Sequence, residues 1–212
     1  MLILASKSKR RQAILSSCGI KYKIIVTNVR EHLNQHMDIP YLVTLNAKTK
    51  AEHAARLCNK NDIVLGVDTL VSINNKTIGK PKDKKHALFM LKKLSGNTLK
   101  VYTGLYLLNK NTGKGYTAHD ETFLRVRKIE KPDIPKFFKL LSPYDRAGGF
   151  SIEGVGSILF DNLKGSYFNV LGLPMGALAD LFKKANLNIL DFINLSSLRG
   201  SPTCPERSRG KG

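Results

Sequence analysis

Apolar residues in this chain follow two alternating patterns: short, mostly apolar runs, and longer stretches in which apolar residues recur every three or four positions. The first pattern predicts buried strands, and the second predicts amphipathic helices packed on a sheet. The predicted strands cover residues 2–5, 22–27, 62–68, 70–73, 76–78, 99–109 and 115–127. The predicted helices cover residues 7–18, 41–59, 84–94, 134–141 and 176–185.

The order of these elements predicts the kind of sheet. Helices separate the first strands, as in parallel crossovers, whereas strands 99–109 and 115–127 are joined by a short turn and predict an antiparallel hairpin. We therefore expect an α/β protein with a mixed central sheet flanked by helices. Residues 1–195 are predicted to form one domain. Residues 196–212 are rich in Gly, Ser, Pro and Arg, and are predicted to be a disordered basic tail.

Features of the sequence argue against membrane and secreted proteins. No apolar run approaches the roughly 20 residues of a membrane helix. The basic residues near the N-terminus follow the first apolar run, whereas a signal peptide has them before it. The three cysteines, Cys18, Cys58 and Cys204, form no CxxC pair, so no disulfide framework is predicted. We expect a cytoplasmic protein with no membrane partner.

The chain carries a large excess of positive charge. Lys and Arg number 35 against 16 Asp and Glu, which gives a formal net charge of +19. Such a charge favours anionic partners, and nucleotides, nucleic acid and acidic surfaces all satisfy it. A lysine-rich face that is only solvated is an equally good explanation. The charge is therefore compatible with an anionic partner but does not identify one.

The segment SKSKRR, residues 6–11, ends the first strand and starts the first helix. Cations in a first helical turn oppose the helix dipole, at a cost of about 0.3–1 kcal/mol each. A bound anion would reverse that effect, and backbone N–H groups and serine hydroxyls at a helix N-terminus suit phosphate oxygens. The segment is a candidate phosphate site, with a solvated basic turn as the alternative.

Three further residues carry candidate chemistry, and each also has a structural explanation. Lys50 lies on the apolar side of helix 41–59, where it either needs a partner or extends its stem to the rim. Asp68 is predicted just past the end of a buried strand, where α/β proteins gather ligands. There it would bind Mg²⁺ or accept a proton from water, or it is a turn residue. Lys80 precedes Pro81, which fixes the following backbone.

These residues belong to motifs that occur in a fixed order, namely LASKSKRR, Lys50, GVDTLV, GKPKD, YTGLYLL, DRAGGFSIEG and GSYFNVLGLP. In order and spacing, the set resembles the Maf family from residue 1 to about residue 190. The resemblance implies an elongated mixed sheet and two lobes with the active site in the cleft between them, related to the inosine triphosphate pyrophosphatases. It also implies a homodimer that hydrolyses nucleoside triphosphates to the monophosphate and pyrophosphate with a divalent cation, Mg²⁺ or Mn²⁺.

The resemblance also assigns roles to individual residues. Asp68 is the proton acceptor, and Glu31 and Asp68 lie at the metal site. The residues that hold the triphosphate are Ser6, Arg10, Arg11, Lys50 and Lys80. Physical chemistry supports this division, because a triphosphate carries about four negative charges that cations must gather and stabilise as the bond breaks.

Base preference is read from residues that differ between two branches of the family. Arg10, Thr69 and the GSY tripeptide at 165–167 match the dTTP/UTP branch, whereas Glu153 matches the 7-methyl-GTP branch. Lys9 stands where the family usually has Pro. A carboxylate accepts hydrogen bonds but does not donate them as an amide does, so Glu153 would pair differently with a pyrimidine. We expect dTTP and UTP as substrates, 7-methyl-GTP as the alternative, and Thr69 and Glu153 among the substrate-binding residues.

A different class of function also fits the charge: a basic, non-enzymatic protein that binds nucleic acid or regulates cell division. No nucleic-acid-binding motif is visible, however, and such a protein would have no need for Glu31 and Asp68 among its cations. We therefore expect a nucleotide-hydrolysing enzyme with no nucleic-acid partner.

Overall fold

A mixed sheet of seven strands runs through the computed structural model, which describes residues 1–32, 37–141 and 151–194. Its strands are β1 (Leu2–Ala5), β2 (Tyr22–Ile24), β3 (Ile63–Ile73), β4 (Lys76–Ile78), β5 (Thr98–Asn109), β6 (Lys114–Val126) and β7 (Phe160–Lys164). The α-helices are α1 (Lys9–Ser17), α2 (Ile39–Ala55), α3 (Lys84–Leu94), α4 (Ile134–Leu141), α5 (Tyr167–Val170) and α6 (Met175–Lys184). The strand order is β2-β1-β3-β5-β6-β7, with β4 also paired to β3. The pairs β2–β1 and β1–β3 are parallel and the others are antiparallel. The parallel crossovers and the β5–β6 hairpin agree with the prediction.

Strand β3 organises the sheet, because three strands pair with it. β5 runs antiparallel to it along its whole length. On its other edge, parallel β1 pairs as far as Gly66, and antiparallel β4 begins at Val71. The prediction that Asp68 stands just past the end of a strand is wrong. The long pairing with β5 carries the strand through Asp68 to Ile73.

Helix α2 lies directly on one face of the sheet. Gly66 on β3 and Gly104 on β5 face it, and a Cβ atom at either position would overlap the helix backbone, at Ala47 and Val43 respectively. Glycine is therefore required at both positions for this close approach. The approach places side chains of α2 within hydrogen-bond distance of β3.

Helices α1 and α6 cover the opposite face. Leu15 of α1 and Phe182 of α6 are buried in one cluster with Leu4 and Leu65 of the sheet. A second cluster, at the other end of the sheet, joins α3 and α4 to β5, β6 and β7. Burying each such side chain contributes about 1.5–3 kcal/mol, so these clusters hold the helices and β3 in fixed positions.

The remaining predicted elements agree with the structure in most places. Helix α3 has its predicted bounds, whereas β2 is shorter than the predicted strand 22–27. β7 and α5 were not predicted. The predicted tail, residues 196–212, lies outside the described residues. No helix in the described part of the chain is long and apolar enough to cross a membrane.

Candidate active site

The edge of β3 is uncovered between the end of β1 and the start of β4. Within the described residues, no strand pairs with positions 67–70 on that edge. β1 and β4 approach this gap from opposite ends, so the segment after β1, residues 6–11, and the segment after β4, Gly79 and Lys80, both arrive there. We call the gap and the side chains that border it the notch.

Lys80 stands on the β4 side of the notch. The paired register of β3 and β4 ends at Val71 and Ile78, and Lys80 is the second residue beyond that pair. Lys80 is exposed, while Pro81 after it is buried and anchors the segment. The antiparallel direction of β4 therefore carries Lys80 toward the gap that the segment after β1 also approaches.

Asp68 is the carboxylate of the notch on the face that α2 covers. Its side chain is only 6% exposed, and its Oδ1 accepts a hydrogen bond of 2.6 Å from Nζ of Lys50. The same ammonium nitrogen lies 2.6 Å from Oε1 of Glu31, in the segment that follows β2. Lys50 thus joins two carboxylates from two different segments, and these partners compensate its burial on the apolar side of α2.

Asn46, one helical turn before Lys50, is a residue of the notch that sequence reasoning missed. Its buried Nδ2 donates to Oδ2 of Asp68 at 3.0 Å. The same amide pairs with both backbone groups of His32: its Oδ1 accepts from the N–H at 2.8 Å, and its Nδ2 donates to the carbonyl oxygen at 3.2 Å. Asn46 therefore fixes Asp68 relative to the backbone beside Glu31. Its sequence signal is an amide within an apolar helix stripe, since a buried amide needs partners.

Arg11 borders the notch on the opposite face of the sheet. Its guanidinium donates to the carbonyl oxygens of Gly172 (Nε, 2.8 Å) and Val67 (Nη1, 3.1 Å), and to the hydroxyls of Ser6 (Nη1, 2.9 Å) and Thr69 (Nη2, 2.8 Å). These four bonds use all but one of the five N–H groups of an arginine. Burial lowers the pKa of Arg11 to about 10, although the carboxylate of Asp68 opposes that shift. The side chain remains charged at neutral pH and ties α1, β3 and the segment after α5 together.

A chain of hydroxyl groups continues from Arg11 across the sheet. Thr103 donates to the carbonyl oxygen of Asn169 at 3.3 Å, so it accepts from the hydroxyl of Thr69, which is 3.0 Å away. The side chain of Asn169 is fully buried and donates to the carbonyl oxygen of Val101 and to Oγ1 of Thr122, both at 2.9 Å. These bonds hold the GSYFN segment against β5 and β6 and connect it to the notch.

Three other predicted site residues differ in their contacts with the notch: Ser6, Arg10 and Glu153. Ser6 is buried, and its Oγ accepts from Arg11 and, at 3.3 Å, from the backbone N–H of Ser8. Arg10 is half-buried in the first turn of α1. Glu153 is exposed at the start of a 3-10 helix, and its carboxylate makes no hydrogen bond or ion pair with the described residues. The structure joins Ser6 to Arg11 and leaves Glu153 outside these contacts.

The carboxylates of the notch suit a divalent cation that arrives with phosphate. Glu31 and Asp68 converge on one cation, the ammonium of Lys50. No group of three or more His, Cys, Asp or Glu side chains in the described ranges could hold a metal by itself. Mg²⁺ typically binds through one or two carboxylates together with substrate phosphates. The donor set therefore fits such an ion.

The fold is that of an α/β protein with a mixed sheet. At the notch beside its central strand, the buried carboxylate of Asp68 contacts Lys50 of α2. The family model described as Maf-like protein matches residues 1–185, and the chain belongs to this family.

Curated relatives align with nearly the whole chain. It is 37% identical over 183 residues to a dTTP/UTP pyrophosphatase of Thermoanaerobacter sp. (strain X514), covering 86% of this chain and 95% of the relative. It is 34% identical over 189 residues to a dTTP/UTP pyrophosphatase of Desulforamulus reducens, covering 89% and 98%. Among solved structures, the Ham1 protein of Staphylococcus aureus matches at 14% identity with a TM-score of 0.45, covering 92% of this chain and 95% of that one.

Proposed function

We propose that this protein hydrolyses dTTP and UTP to the nucleoside monophosphate and pyrophosphate. The observation that carries the proposal is the buried carboxylate of Asp68, in contact with Lys50 at a notch bordered by Arg11 and Lys80. The relatives named dTTP/UTP pyrophosphatase support the substrate class, because the alignment extends over nearly their full length.

Four cations from three segments would hold the triphosphate. Arg10 and the remaining N–H of Arg11 contribute from α1, Lys50 from α2, and Lys80 from the segment after β4. Backbone N–H groups at the start of α1 add neutral donors. Cations that are already in place act most strongly on charge that develops in the transition state, so these residues serve turnover as well as binding.

Asp68 would accept the proton of the attacking water. Asn46 donates to its Oδ2 and Lys50 to its Oδ1, so the carboxylate accepts a proton only after one of these donors has moved. The water oxygen bonds to phosphorus as the bond to the oxygen between the α- and β-phosphates breaks, and the products are the monophosphate and pyrophosphate. A divalent cation held by Glu31 and Asp68 would neutralise phosphate charge and lower the pKa of a bound water.

Thr69 acts on the substrate indirectly in this proposal. Its hydroxyl accepts from Arg11 and donates to Thr103, and a hydroxyl has only one hydrogen to donate. Thr69 therefore orients Arg11 instead of donating to a base. The pyrimidine preference then rests on the relatives and on Arg10 and the GSY segment, whereas Glu153 favours 7-methyl-GTP as a second candidate substrate.

Pyrophosphate release from a nucleotide panel tests the proposal. The purified protein, with Mg²⁺ or Mn²⁺, should act on dTTP and UTP faster than on CTP, GTP and 7-methyl-GTP. A higher kcat/KM for 7-methyl-GTP would support the second candidate, and no release from any nucleotide would support a non-enzymatic protein. The homodimer remains a separate prediction, which light scattering in solution tests.

A further inference from the structure

Lys50 lies between the two carboxylates of the proposed metal site. Its ammonium nitrogen is 2.6 Å from Oδ1 of Asp68 and 2.6 Å from Oε1 of Glu31. A Mg²⁺ ion that bound both oxygens, at about 2.0–2.1 Å, would need the same space. The ammonium and the metal are therefore alternative occupants of one position.

The carboxylate of Asp68 does not depend on Lys50 for its position. Its Oδ2 accepts from Asn46, and β3 is paired with β5 at this residue. The amide of Asn46 also binds the backbone of His32, directly after Glu31. When the ammonium leaves, the carboxylate of Asp68 keeps its bond from Asn46, and the backbone next to Glu31 stays held by the same amide.

Charge determines which cation the carboxylates hold. A metal ion that arrives alone must move Lys50 away from both of its counter-charges without supplying a new one. A metal ion that arrives with a triphosphate brings about four negative charges, and these give Lys50 a new partner. The cost of moving Lys50 is thus much smaller when the nucleotide is present.

We propose that Lys50 competes with the divalent cation for Glu31 and Asp68, and that the triphosphate ends the competition by binding the ammonium. This inference rests on the proposed function. Metal and nucleotide then strengthen each other's binding, because each removes a competitor of the other. The ammonium leaves the two carboxylates only when substrate is bound, which restricts metal binding at this position to the loaded site.

Mn²⁺ binding without nucleotide tests the competition directly. Lys50→Met keeps an unbranched side chain and removes the charge, so Mn²⁺ affinity, measured from the EPR signal of the free ion, should rise at least about tenfold. Lys50→Arg keeps a cation and should bind Mn²⁺ no more tightly than wild type. Lys48→Met is the matched control, because Lys48 lies on the same helix but pairs with Glu52 at the surface. The Mn²⁺ affinity of this variant should equal that of the wild type.

Unchanged or weaker Mn²⁺ binding in Lys50→Met overturns the proposal, as does an equal gain in Lys48→Met or no binding by any form. Lys50→Gln is titrated in parallel, so that one poorly folded variant does not decide the result. Pyrophosphate release by the wild type is measured separately. If the wild type releases pyrophosphate but Lys50→Met does not gain Mn²⁺ affinity, only the competition is rejected. If Lys50→Met gains affinity but the wild type releases no pyrophosphate, the proposed function is rejected.

Discussion

Asp68 and Thr69 are consecutive residues of β3 whose side chains lie on opposite faces of the sheet. Asp68 contacts Lys50 on the face covered by α2, and Thr69 accepts a hydrogen bond from Arg11 on the face covered by α1. Side chains of a strand alternate between faces, so two neighbouring positions connect both helices to one site. The uncovered edge of β3 is the place where both sets of side chains meet.

Replacing Asp68 by Asn tests its role as proton acceptor. The size of the side chain is kept, but an amide does not take up a proton, so kcat should fall at least about 10²-fold. The circular dichroism spectrum should remain that of the wild type. Asp180→Asn, at an exposed position on α6, is the control and should keep its turnover. Near-normal turnover in Asp68→Asn would remove this residue from the mechanism.

Asn46 is expected to position Asp68, and two substitutions separate this role from packing. Asn46→Leu removes the hydrogen bond to the carboxylate. Because the free energy of one hydrogen bond to a charged group corresponds to about a ten- to a hundredfold change in rate, kcat should fall by that factor. Asn46→Asp should lower kcat further, because it places a second carboxylate against the first. Thr49→Ala is the control on the same helix, since that hydroxyl donates to the backbone carbonyl of Leu45. Equal rates for Asn46→Leu and wild type would contradict the role.

Arg11 and Arg10 should differ in their effect on folding. Arg11→Lys leaves buried carbonyl oxygens of Gly172 and Val67 without their donors. The free energy of unfolding in urea should therefore fall by about 1–3 kcal/mol. Arg10→Lys, at a half-buried position, should cost less stability while still lowering turnover. The prediction fails if the two variants lose the same stability.

Local patterns predict most elements of the fold but not the path of β3. Helix α3 has a regular apolar stripe and was predicted with its observed bounds, Lys84–Leu94. β3 continues through Asp68 because β5 pairs with it, and that pairing is a long-range contact that no local pattern contains. β7, with the mostly polar sequence FDNLK, is likewise a strand because β6 pairs with it.

For the site, sequence reasoning identified the charged residues but not their contacts. Lys50 drew attention as a cation on an apolar helix stripe, yet its partners Glu31 and Asp68 come from other segments. Asn46 lies within the same apolar stripe, but an uncharged amide there is a weaker signal than a cation. Arg11 was predicted to hold phosphate, whereas most of its donors are used inside the protein. Tertiary packing determines which hydrogen-bond partners a side chain uses, and local sequence patterns do not reveal that packing.

Glu153→Gln tests whether residue 153 reads the base. An amide donates as well as accepts, so the variant should shift the kcat/KM ratio of dTTP to 7-methyl-GTP toward dTTP by about tenfold or more. Asp161→Asn is a control nearby in sequence, where an exposed carboxylate pairs with Arg127. An unchanged ratio for Glu153→Gln would show that this residue does not contact the base, and the choice of base would then rest on other positions.

Product analysis with dTTP tests the central claim, cleavage between the α- and β-phosphates, most directly. Wild type and Asp68→Asn are incubated with dTTP and Mg²⁺, and the products are quantified by anion-exchange chromatography and phosphorus NMR. We expect dTMP and pyrophosphate in equal amounts from the wild type, without dTDP or orthophosphate, and much slower formation of both by Asp68→Asn. Formation of dTDP and orthophosphate, or equal rates for the two proteins, would contradict this claim.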